Sequence, residues 1–314
     1  MNRATQPARI THASRVVDAA SGVTKGELAA YFERVVELIL PHLAQRPVAL
    51  LRAPGGTGKP MFFQKHADPA EMPGIVQLDP SLDPGHEPLI AIPGREGLLS
   101  AAQMNVVELH TWNATQRSIA RPDRVVFDLD PGQGVDWARI VESTQLLHGT
   151  LDELGLTSFL KTSGGRGLHV VVPVTRRHDW DAVKGFAKAL VDHMTHVAAD
   201  RFVAKTGPKN RIGRIFIDYL RNGFGATTVC AWSPRARPGL GISVPIGWDE
   251  LERLSGADQW TVRNVRERLV VGNAPWADYE ARRQGLGAAI KRLASTPASE
   301  IAVGEIDPSH AALE

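Results

Sequence analysis

The chain is organised around one stretch, Arg124-Val125-Val126-Phe127-Asp128-Leu129-Asp130-Pro131-Gly132. An apolar run that is closed by Pro-Gly is typical of a buried strand. Because side chains alternate along a strand, Asp128 and Asp130 are predicted to share one face and Leu129 to occupy the other. Two carboxylates roughly 7 Å apart repel each other unless a cation lies between them, and Mg²⁺ and Mn²⁺ prefer oxygen ligands. The stretch therefore favours a divalent-metal site over a solvated turn with two incidental acids.

The composition of the 314-residue chain, 43% hydrophobic and 22% charged, is that of a globular protein with one large domain or two smaller ones. The net charge is only +2, but Lys and Arg outnumber acids over residues 201–237, which permits a polyanionic partner. Cys230 is the only cysteine, which excludes a disulfide framework and fits a reducing cytosol. No membrane-spanning run or signal-peptide core is present, so we expect a cytoplasmic protein with no membrane partner.

Three segments are predicted from the spacing of apolar and turn residues. Residues 1–23 are polar and irregular, residues 24–295 carry alternating helix and strand patterns, and residues 296–314 resemble a tail or a linker. The second segment begins with a capping box formed by Thr24 and Glu27. Apolar residues at helical spacing then predict an amphipathic helix over residues 25–40, which we expect to end at Pro41.

A glycine-rich stretch, Gly55-Gly56-Thr57-Gly58-Lys59-Pro60, is a poor match to a phosphate-binding loop. The upstream glycine of that motif is replaced by Ala53, and Pro60 stands where Ser or Thr would bind magnesium. We predict a hairpin loop instead. In the strand that follows, one of Phe62 and Phe63 is expected to face the core and the other to face outward, where it could stack on a nucleobase. The alternative is that the rest of the chain covers both rings.

A second glycine-rich stretch, Thr162-Ser163-Gly164-Gly165-Arg166-Gly167, joins two predicted strands. Its glycines allow a tight loop whose backbone N–H groups are accessible to an anion. The side chains of Ser163, Arg166 and His169 add further hydrogen-bond donors, which favours a phosphate site over a plain hairpin.

A third acid, Asp218, ends another predicted strand within Arg214-Ile215-Phe216-Ile217-Asp218-Tyr219-Leu220-Arg221-Asn222. Three carboxylates can hold two divalent ions, of which one activates an attacking hydroxyl and the other neutralises a departing pyrophosphate. A glycine-rich loop and nearby arginines can hold a triphosphate. Together these residues predict nucleotidyl transfer.

This set of motifs resembles the polymerase domain of bacterial end-joining ligase D, in the archaeo-eukaryotic primase superfamily. The resemblance extends from about His12 to Leu293. Three motifs carry it in family order: Asp128-Leu129-Asp130-Pro131, Ser163-Gly164-Gly165-Arg166-Gly167-Leu168-His169 and Phe216-Ile217-Asp218-Tyr219-Leu220-Arg221-Asn222. Supporting stretches are Phe62-Phe63-Gln64-Lys65-His66, Leu109-His110-Thr111-Trp112 and Ser233-Pro234-Arg235-Ala236-Arg237-Pro238.

The resemblance implies a fold and an activity. The fold would be an α/β (α+β) primase-polymerase core of two mixed sheets flanked by helices, formed by residues 24–295. The activity would be templated addition of nucleotides and gap filling at double-strand breaks, with two Mn²⁺ (or Mg²⁺) ions and a preference for ribonucleoside triphosphates over dNTPs. Implied partners are template-primer DNA, DNA ends with a 5′-phosphate, a Ku-like end-binding protein and a ligase domain in cis or in trans. The protein would be associated with the nucleoid when it is on DNA.

The resemblance also assigns roles to individual residues. Asp128, Asp130 and Asp218 would be the catalytic metal ligands. Phe62 or Phe63 would stack on a base. The residues expected to contact the nucleotide are Ser163, Gly164, Arg166, His169, His110, Arg221 and Arg235. The residues expected to bind the 5′-phosphate are Lys25, Arg15 and His12.

Two other functions fit part of the sequence. In a haloacid-dehalogenase-type phosphatase Asp128 would be the nucleophile and Asp130 the acid/base. That family places the acid pair near the N-terminus, whereas 127 residues precede it here, and Pro131-Gly132 replaces the Thr or Val expected after the second acid. A non-catalytic DNA-end-binding module would need aromatic and basic residues but not three acids. No ligase or phosphoesterase motif is found, so we expect a stand-alone protein or one domain of a larger one.

Overall fold

The structure, a computed structural model, describes residues 10–295. The predicted tail over residues 296–314 and the first nine residues of the predicted irregular segment lie outside this range. The helices are α1 Lys25–Arg34, α2 Val36–Leu43, α3 Arg95–Gln103, α4 Trp137–Glu153, α5 Trp180–Val197, α6 Arg266–Val271 and α7 Gly287–Ser295. The strands are β1 Val16–Asp18, β2 Val23–Thr24, β3 Val48–Arg52, β4 Phe62–Gln64, β5 Val76–Gln77, β6 Ile90–Ala91, β7 Val106–Trp112, β8 Arg124–Pro131, β9 Phe159–Thr162, β10 Leu168–Pro173, β11 Phe202–Val203, β12 Ile215–Asp218, β13 Thr227–Val229 and β14 Pro245–Ile246.

Two six-stranded sheets form the framework, which confirms the predicted α/β class. The first sheet has the order β11-β12-β8-β10-β9-β14. It is mixed, because β11 and β12 are parallel while the other pairs are antiparallel. The second sheet has the order β13-β7-β3-β6-β5, with β4 paired to β3, and its pairs are all antiparallel. The β3–β4 pairing confirms the hairpin predicted around residues 55–60.

Strand β8 lies inside the first sheet, between β10 and β12. Its Val125, Phe127 and Leu129 side chains belong to the main core, and Val126 packs on the opposite face with Trp276 and other apolar residues. Burial on both faces explains why the sequence of this strand begins as a continuous apolar run. The strand therefore holds its two aspartates on a rigid, fully paired support.

The predicted helix over residues 25–40 is wrong in its extent. The capping box of Thr24 and Glu27 is present, but α1 ends at Arg34 and α2 starts at Val36. Pro41 does not end α2 and lies within it. A proline removes one helical N–H···O bond, but Leu43, beyond it, is fully buried, so core packing maintains the last turn.

The segment before Thr24, predicted to be irregular, contains a short hairpin of β1 and β2. Its Asp18 is buried and accepts hydrogen bonds from Ser21 Oγ at 2.6 Å, Thr57 Oγ1 at 2.8 Å and the Gly239 N–H at 3.0 Å. The local sequence did not predict this hairpin, because two of these partners of Asp18 are distant in the chain. The hydrogen bonds attach the segment to the β3–β4 hairpin loop and to the turn that follows Arg235. Over residues 10–295 no helix is long and apolar enough to cross a membrane.

Candidate active site

The three acids lie next to one another on two paired strands. In the register of the first sheet, Asp128 on β8 is opposite Asp218 on β12 and opposite His169 on β10. Asp130 lies two residues further along β8, opposite Phe216. Asp128 and Asp130 are half-buried whereas Leu129 between them is buried, as the alternation along the strand predicted. Antiparallel pairing thus brings together carboxylates that are far apart in sequence.

Positively charged side chains neutralise this acidic cluster. The Nε atom of Arg221 lies 3.0 Å from Asp218 Oδ2 and 3.8 Å from Asp128 Oδ2. Arg211 donates a hydrogen bond to Asp130. The role of Arg211 was not predicted, because the sequence showed only that its surroundings were basic.

The pKa values of the two central acids move in opposite directions. Burial raises the pKa of Asp128, but the contacts with His169 and the charge of Arg221 outweigh it and hold the pKa well below its usual range. For Asp218, burial raises the pKa, Arg221 lowers it, and the charge of Asp128 adds to the increase, so the net shift is upward. Asp218 is therefore harder to ionise than an aspartate in water, even though Arg221 is close.

As they stand, the carboxylates are paired with arginines and do not surround one point. Within residues 10–295, no three His, Cys, Asp or Glu side chains are grouped so that they could hold a metal ion. The donor chemistry nevertheless suits hard divalent ions, because three carboxylates on adjoining strands supply only oxygen ligands. An ion could bind there if Arg211 and Arg221 moved away from Asp130 and Asp218.

The second glycine-rich stretch forms a tight turn between β9 and β10. Ser163 Oγ accepts hydrogen bonds from the backbone N–H groups of Gly165 at 3.1 Å and Gly167 at 3.2 Å, which leaves its own hydrogen free to donate. Gly164 adopts a positive φ of +69°, and a Cβ at Gly167 would lie 1.9 Å from the Leu129 carbonyl oxygen. The glycines therefore allow the loop to pack against the end of β8, beside the acids.

His169 links this loop to the acids. Its Nε2 atom lies 3.4 Å from Asp128 Oδ1, and its buried Nδ1 atom has no hydrogen-bond partner within the described residues. Burial and the nearby Lys161 lower the pKa of His169 to about 4, so the ring is neutral at neutral pH. Leaving a buried polar atom unpaired costs free energy. A phosphate oxygen could satisfy Nδ1 if the ring became doubly protonated.

Arg235 and His110 are held by Glu108, a residue that sequence reasoning missed. Glu108 Oε2 accepts from His110 Nε2 at 2.7 Å and from Arg235 Nε at 3.1 Å, and Oε1 accepts from the Ala236 N–H at 2.8 Å. Arg235 also donates to the Ser163 carbonyl at 3.1 Å. Burial raises the pKa of Glu108, but these partners outweigh it and lower the pKa to about 2. The one feature of the sequence that could have pointed to Glu108 is its position as an acid inside an apolar strand.

Arg166 and Gly164, two further predicted nucleotide contacts, pack against different neighbouring segments. Arg166 is exposed, and its Nη2 atom donates to the Pro131 carbonyl at 2.6 Å. A Cβ at Gly164 would come within 2.7 Å of the Ile242 backbone, so this residue packs against a neighbouring segment. The Gly164 N–H donates to the Ala257 carbonyl at 3.1 Å, so it is not free to donate to an anion.

Phe62 and Phe63 are both exposed, at 46% and 57%, so the expectation that one of them faces the core is wrong. Strand β4 is three residues long and pairs only with β3, so neither face is covered. The two rings differ in their neighbours. Phe63 makes an edge contact with His110 at 5.2 Å between ring centroids, whereas Phe62 lies under the guanidinium of Arg52. Only Phe63 touches a predicted site residue.

The structure brings together His12, Arg15 and Lys25 at the start of α1. The Arg15 N–H donates to the His12 carbonyl at 3.0 Å, and the Lys25 N–H donates to the Arg15 carbonyl at 2.8 Å. Burial and the charge of Arg15 lower the pKa of Lys25. Two cations held close together would gain from an anion placed between them.

Known proteins resemble this chain over most of its length. A family model described as "LigD, primase-polymerase domain" matches residues 24–276. The chain belongs to this family. It is 51% identical over 291 residues to the multifunctional non-homologous end joining protein LigD of Pseudomonas aeruginosa, a match that covers 92% of this chain and 35% of that protein. It is 30% identical over 322 residues to the multifunctional non-homologous end joining DNA repair protein LigD of Mycobacterium tuberculosis, over 96% of this chain and 42% of that protein.

The fold also matches a solved member of the family. The polymerase domain of Mycobacterium tuberculosis ligase D, solved in complex with DNA, superposes with a TM-score of 0.76 at 26% identity. The match covers 84% of this chain and 95% of that one. The chain therefore spans less than half the length of these two LigD proteins but nearly the whole of the solved polymerase domain.

Proposed function

We propose that the chain is a template-dependent nucleotidyltransferase that fills gaps at DNA double-strand breaks in bacterial non-homologous end joining, with residues 24–295 as its catalytic domain. The primer 3′-hydroxyl would attack the α-phosphorus of a nucleoside triphosphate and release pyrophosphate. One observation carries the proposal: Asp128 lies in register between Asp218 and His169, so a carboxylate cluster directly adjoins the Ser163–His169 loop. Membership of the LigD primase-polymerase family supports the same reaction.

Asp128, Asp130 and Asp218 would hold two divalent ions, Mn²⁺ in preference to Mg²⁺. Such ions lower the pKa of the attacking hydroxyl and neutralise charge on the leaving pyrophosphate. The protein contributes three oxygen donors on fixed strands. Arg211 and Arg221 would leave Asp130 and Asp218 and become available to the phosphates.

Ser163, His169 and Arg235 would bind the triphosphate. The Ser163 hydroxyl hydrogen and the unpartnered His169 Nδ1 are the free polar groups of the loop. Arg235 is held beside the Ser163 carbonyl by Glu108, so its position does not depend on the nucleotide. His110, on the other side of Glu108, would lie near the sugar, where a preference for ribonucleotides would be exerted.

Phe63, and not Phe62, would stack on a base, because only Phe63 contacts His110. We expect Phe63→Ala to lower kcat/KM for templated extension about tenfold, since base stacking on an aromatic ring is worth ~1–3 kcal/mol. Phe62→Ala is the matched control, because it removes another exposed ring from the same strand. Steady-state extension kinetics would measure both. An equal loss in the two variants would contradict the assignment.

Lys25, with Arg15 and His12, would bind the 5′-phosphate of the downstream strand. Lys25→Ala is expected to weaken binding to a 5′-phosphorylated gap about tenfold, because a charge-assisted hydrogen bond is worth ~1.5–3 kcal/mol. Binding to the same gap without the phosphate should change little. Fluorescence anisotropy with the two DNAs measures the difference. Equal weakening on both DNAs would show that the phosphate is bound elsewhere.

A primer-extension assay tests the proposed reaction. The purified protein is given Mn²⁺, ribonucleoside triphosphates and a gapped DNA with a downstream 5′-phosphate, and the product is sized on a denaturing gel. Extension that follows the template supports the proposal. No extension with Mn²⁺ or Mg²⁺ would overturn it. A Ku-like end-binding protein and a ligase domain are proposed partners, and their addition would be expected to promote joining of the filled ends.

The two other functions fit the structure less well. A phosphatase nucleophile must be free to attack, whereas Asp128 is in contact with His169 and Arg221. A non-catalytic DNA-end binder gives no reason for three carboxylates on adjoining strands, since acids repel the DNA backbone.

A further inference from the structure

A second polar site lies at the opposite end of β8 from the acids. Arg124, the first residue of this strand, lines a cavity of about 140 Å³. The cavity is also lined by His42 and Arg46 from the N-terminal half of the chain and by Trp276, Tyr279 and one acid, Glu280, from the C-terminal half. The proposed reaction uses none of these residues.

Positive charge around this cavity exceeds negative charge. Arg46 forms a two-point ion pair with Asp123, at 2.8 and 3.0 Å, and Arg176 and Arg283 reach the same carboxylate at 3.4 and 3.7 Å. Arg283 also pairs with Glu280 at 2.6 Å. Two carboxylates are thus paired with three guanidinium groups, and Arg124 adds a fourth positive charge.

Arg124 itself has no carboxylate within ion-pairing distance among residues 10–295. Its Nε atom donates to Asn113 Oδ1 at 2.8 Å, and its Nη2 atom donates to Thr111 Oγ1 at 2.7 Å and to the Trp112 carbonyl at 3.1 Å, all of which are neutral acceptors. Burial lowers the pKa of Arg124 to about 10, so the group remains charged at neutral pH. Arg124 is half-buried, and a charge removed from water without a counter-ion is costly and gains from a bound anion.

Unsatisfied hydrogen-bonding groups are concentrated in the same place. Among the buried polar side-chain atoms of residues 10–295 that have no partner, three belong to this cluster: Tyr279 Oη, Arg176 Nε and Arg283 Nε. All three atoms can donate a hydrogen bond. Of these three residues only Tyr279 lines the cavity, while Arg176 and Arg283 lie beside it, next to Asp123. A negatively charged acceptor in the cavity would satisfy Tyr279 Oη and offset the charge of Arg124.

We propose that this cavity binds a small oxyanion of the phosphate or sulfate class, held by Arg124 and Tyr279. Its volume of about 140 Å³ accommodates such an ion, since one water occupies ~30 Å³ of the liquid. The anion would connect α2 and the C-terminal segment to the start of β8 and would stabilise the fold at a site remote from the acids. Water molecules alone would satisfy the donors but would leave the charge of Arg124 uncompensated.

The test uses inorganic phosphate and the melting temperature of the full chain. In the wild type, Tm should rise by roughly 2 °C for each tenfold increase of phosphate above its Kd, beyond the effect of sodium chloride at equal ionic strength. Tyr279→Phe removes only the unpartnered Oη atom, so the variant should fold normally. Its affinity for phosphate should fall at least tenfold. Primer extension by Tyr279→Phe should be unchanged, which separates this site from the proposed active site.

A second variant excludes the other phosphate sites. Lys25→Ala, at the proposed 5′-phosphate pocket, should keep the larger part of the phosphate-dependent rise in Tm, because it leaves Arg124 and Tyr279 intact. A wild type that responds to phosphate no more than to sodium chloride would overturn the proposal, as would a response that survives undiminished in Tyr279→Phe, whether or not Lys25→Ala removes it. Crystals soaked in selenate give an independent measurement. An anomalous peak beside Arg124 and Tyr279 is expected, and its absence from a soaked crystal would also refute the site.

Discussion

Asp218→Asn should abolish primer extension without lowering the stability of the metal-free protein. We expect the extension rate with Mn²⁺ to fall at least ~10³-fold, since a metal ion contributes several kcal/mol to stabilising the transition state and 1.36 kcal/mol is tenfold in rate. The fold should be maintained, because asparagine can still accept the hydrogen bond that Asp218 Oδ1 receives from the Leu220 N–H. Single-turnover extension and thermal unfolding in EDTA measure the two effects.

The pKa of Asp218 determines whether Asp218→Asn raises or lowers the stability of the protein. Burial and the neighbouring Asp128 raise the pKa of Asp218 despite the contact with Arg221, so the ionised form destabilises the folded state at neutral pH. Removing the charge should leave Tm at pH 7 unchanged or higher. The exposed Asp249→Asn is the matched control and should change neither Tm nor activity. Normal extension by Asp218→Asn would eliminate Asp218 as a metal ligand.

Asp128→Asn provides the contrast within the same site. Its pKa is held well below the usual range by His169 and Arg221 against the effect of burial. The ionised form therefore stabilises the fold above the unfolded-state pKa of about 3.9, and this contribution is lost as the pH falls towards the folded-state pKa. Asp128→Asn should thus lose activity and also some stability at pH 7, in contrast to Asp218→Asn.

Glu108→Gln should lower kcat/KM for the nucleoside triphosphate about 10²-fold, mainly through KM. Glutamine keeps the size of the side chain but loses the charge that holds Arg235 and His110. Breaking a buried ion pair typically costs ~3–5 kcal/mol, so the free energy of unfolding should also fall. Initial rates against nucleotide concentration and denaturant unfolding measure the two losses.

The lowered pKa of Glu108 also determines how its contribution to the stability of the fold depends on pH. Because its pKa is lowered to about 2, the carboxylate stabilises the fold above the unfolded-state pKa, which is about 4.3. That contribution is lost as the pH falls from there towards 2, so the wild type and Glu108→Gln should converge in stability in acid. Glu33→Gln, which removes an exposed partner of Arg95, is the control and should behave as the wild type. An unchanged KM in Glu108→Gln would show that Arg235 does not need this support.

The parts of the site that the sequence could predict are those with a local pattern. Asp128 and Asp130 stood out because the apolar run of β8 is buried on both faces and ends in polar residues. Glu108 and Arg211 did not, because their partners are distant in the chain. Arg235 is 127 residues from Glu108, and Arg211 is 81 residues from Asp130. Contacts of this kind depend on how the two sheets and the loops pack, which no spacing rule encodes.

The errors in the fold have a similar origin. Local propensity predicted that Pro41 would end a helix, but burial of Leu43 keeps the turn. Alternation predicted one buried ring among Phe62 and Phe63, but β4 lies off the main order of its sheet with neither face covered. In both cases tertiary packing, or its absence, decides a question that local sequence leaves open.

Arg211 and Arg221 act as built-in counter-ions for the acidic cluster. A cluster of three carboxylates that relied on metal for neutrality would resist folding until the metal arrived, as in small domains that are unfolded without zinc. Here the guanidinium groups contact Asp130 and Asp218 directly, so the chain supplies its own neutralising charge. If a metal ion binds these carboxylates as proposed, folding would not depend on it, and the ion would have to compete with an arginine for each of them.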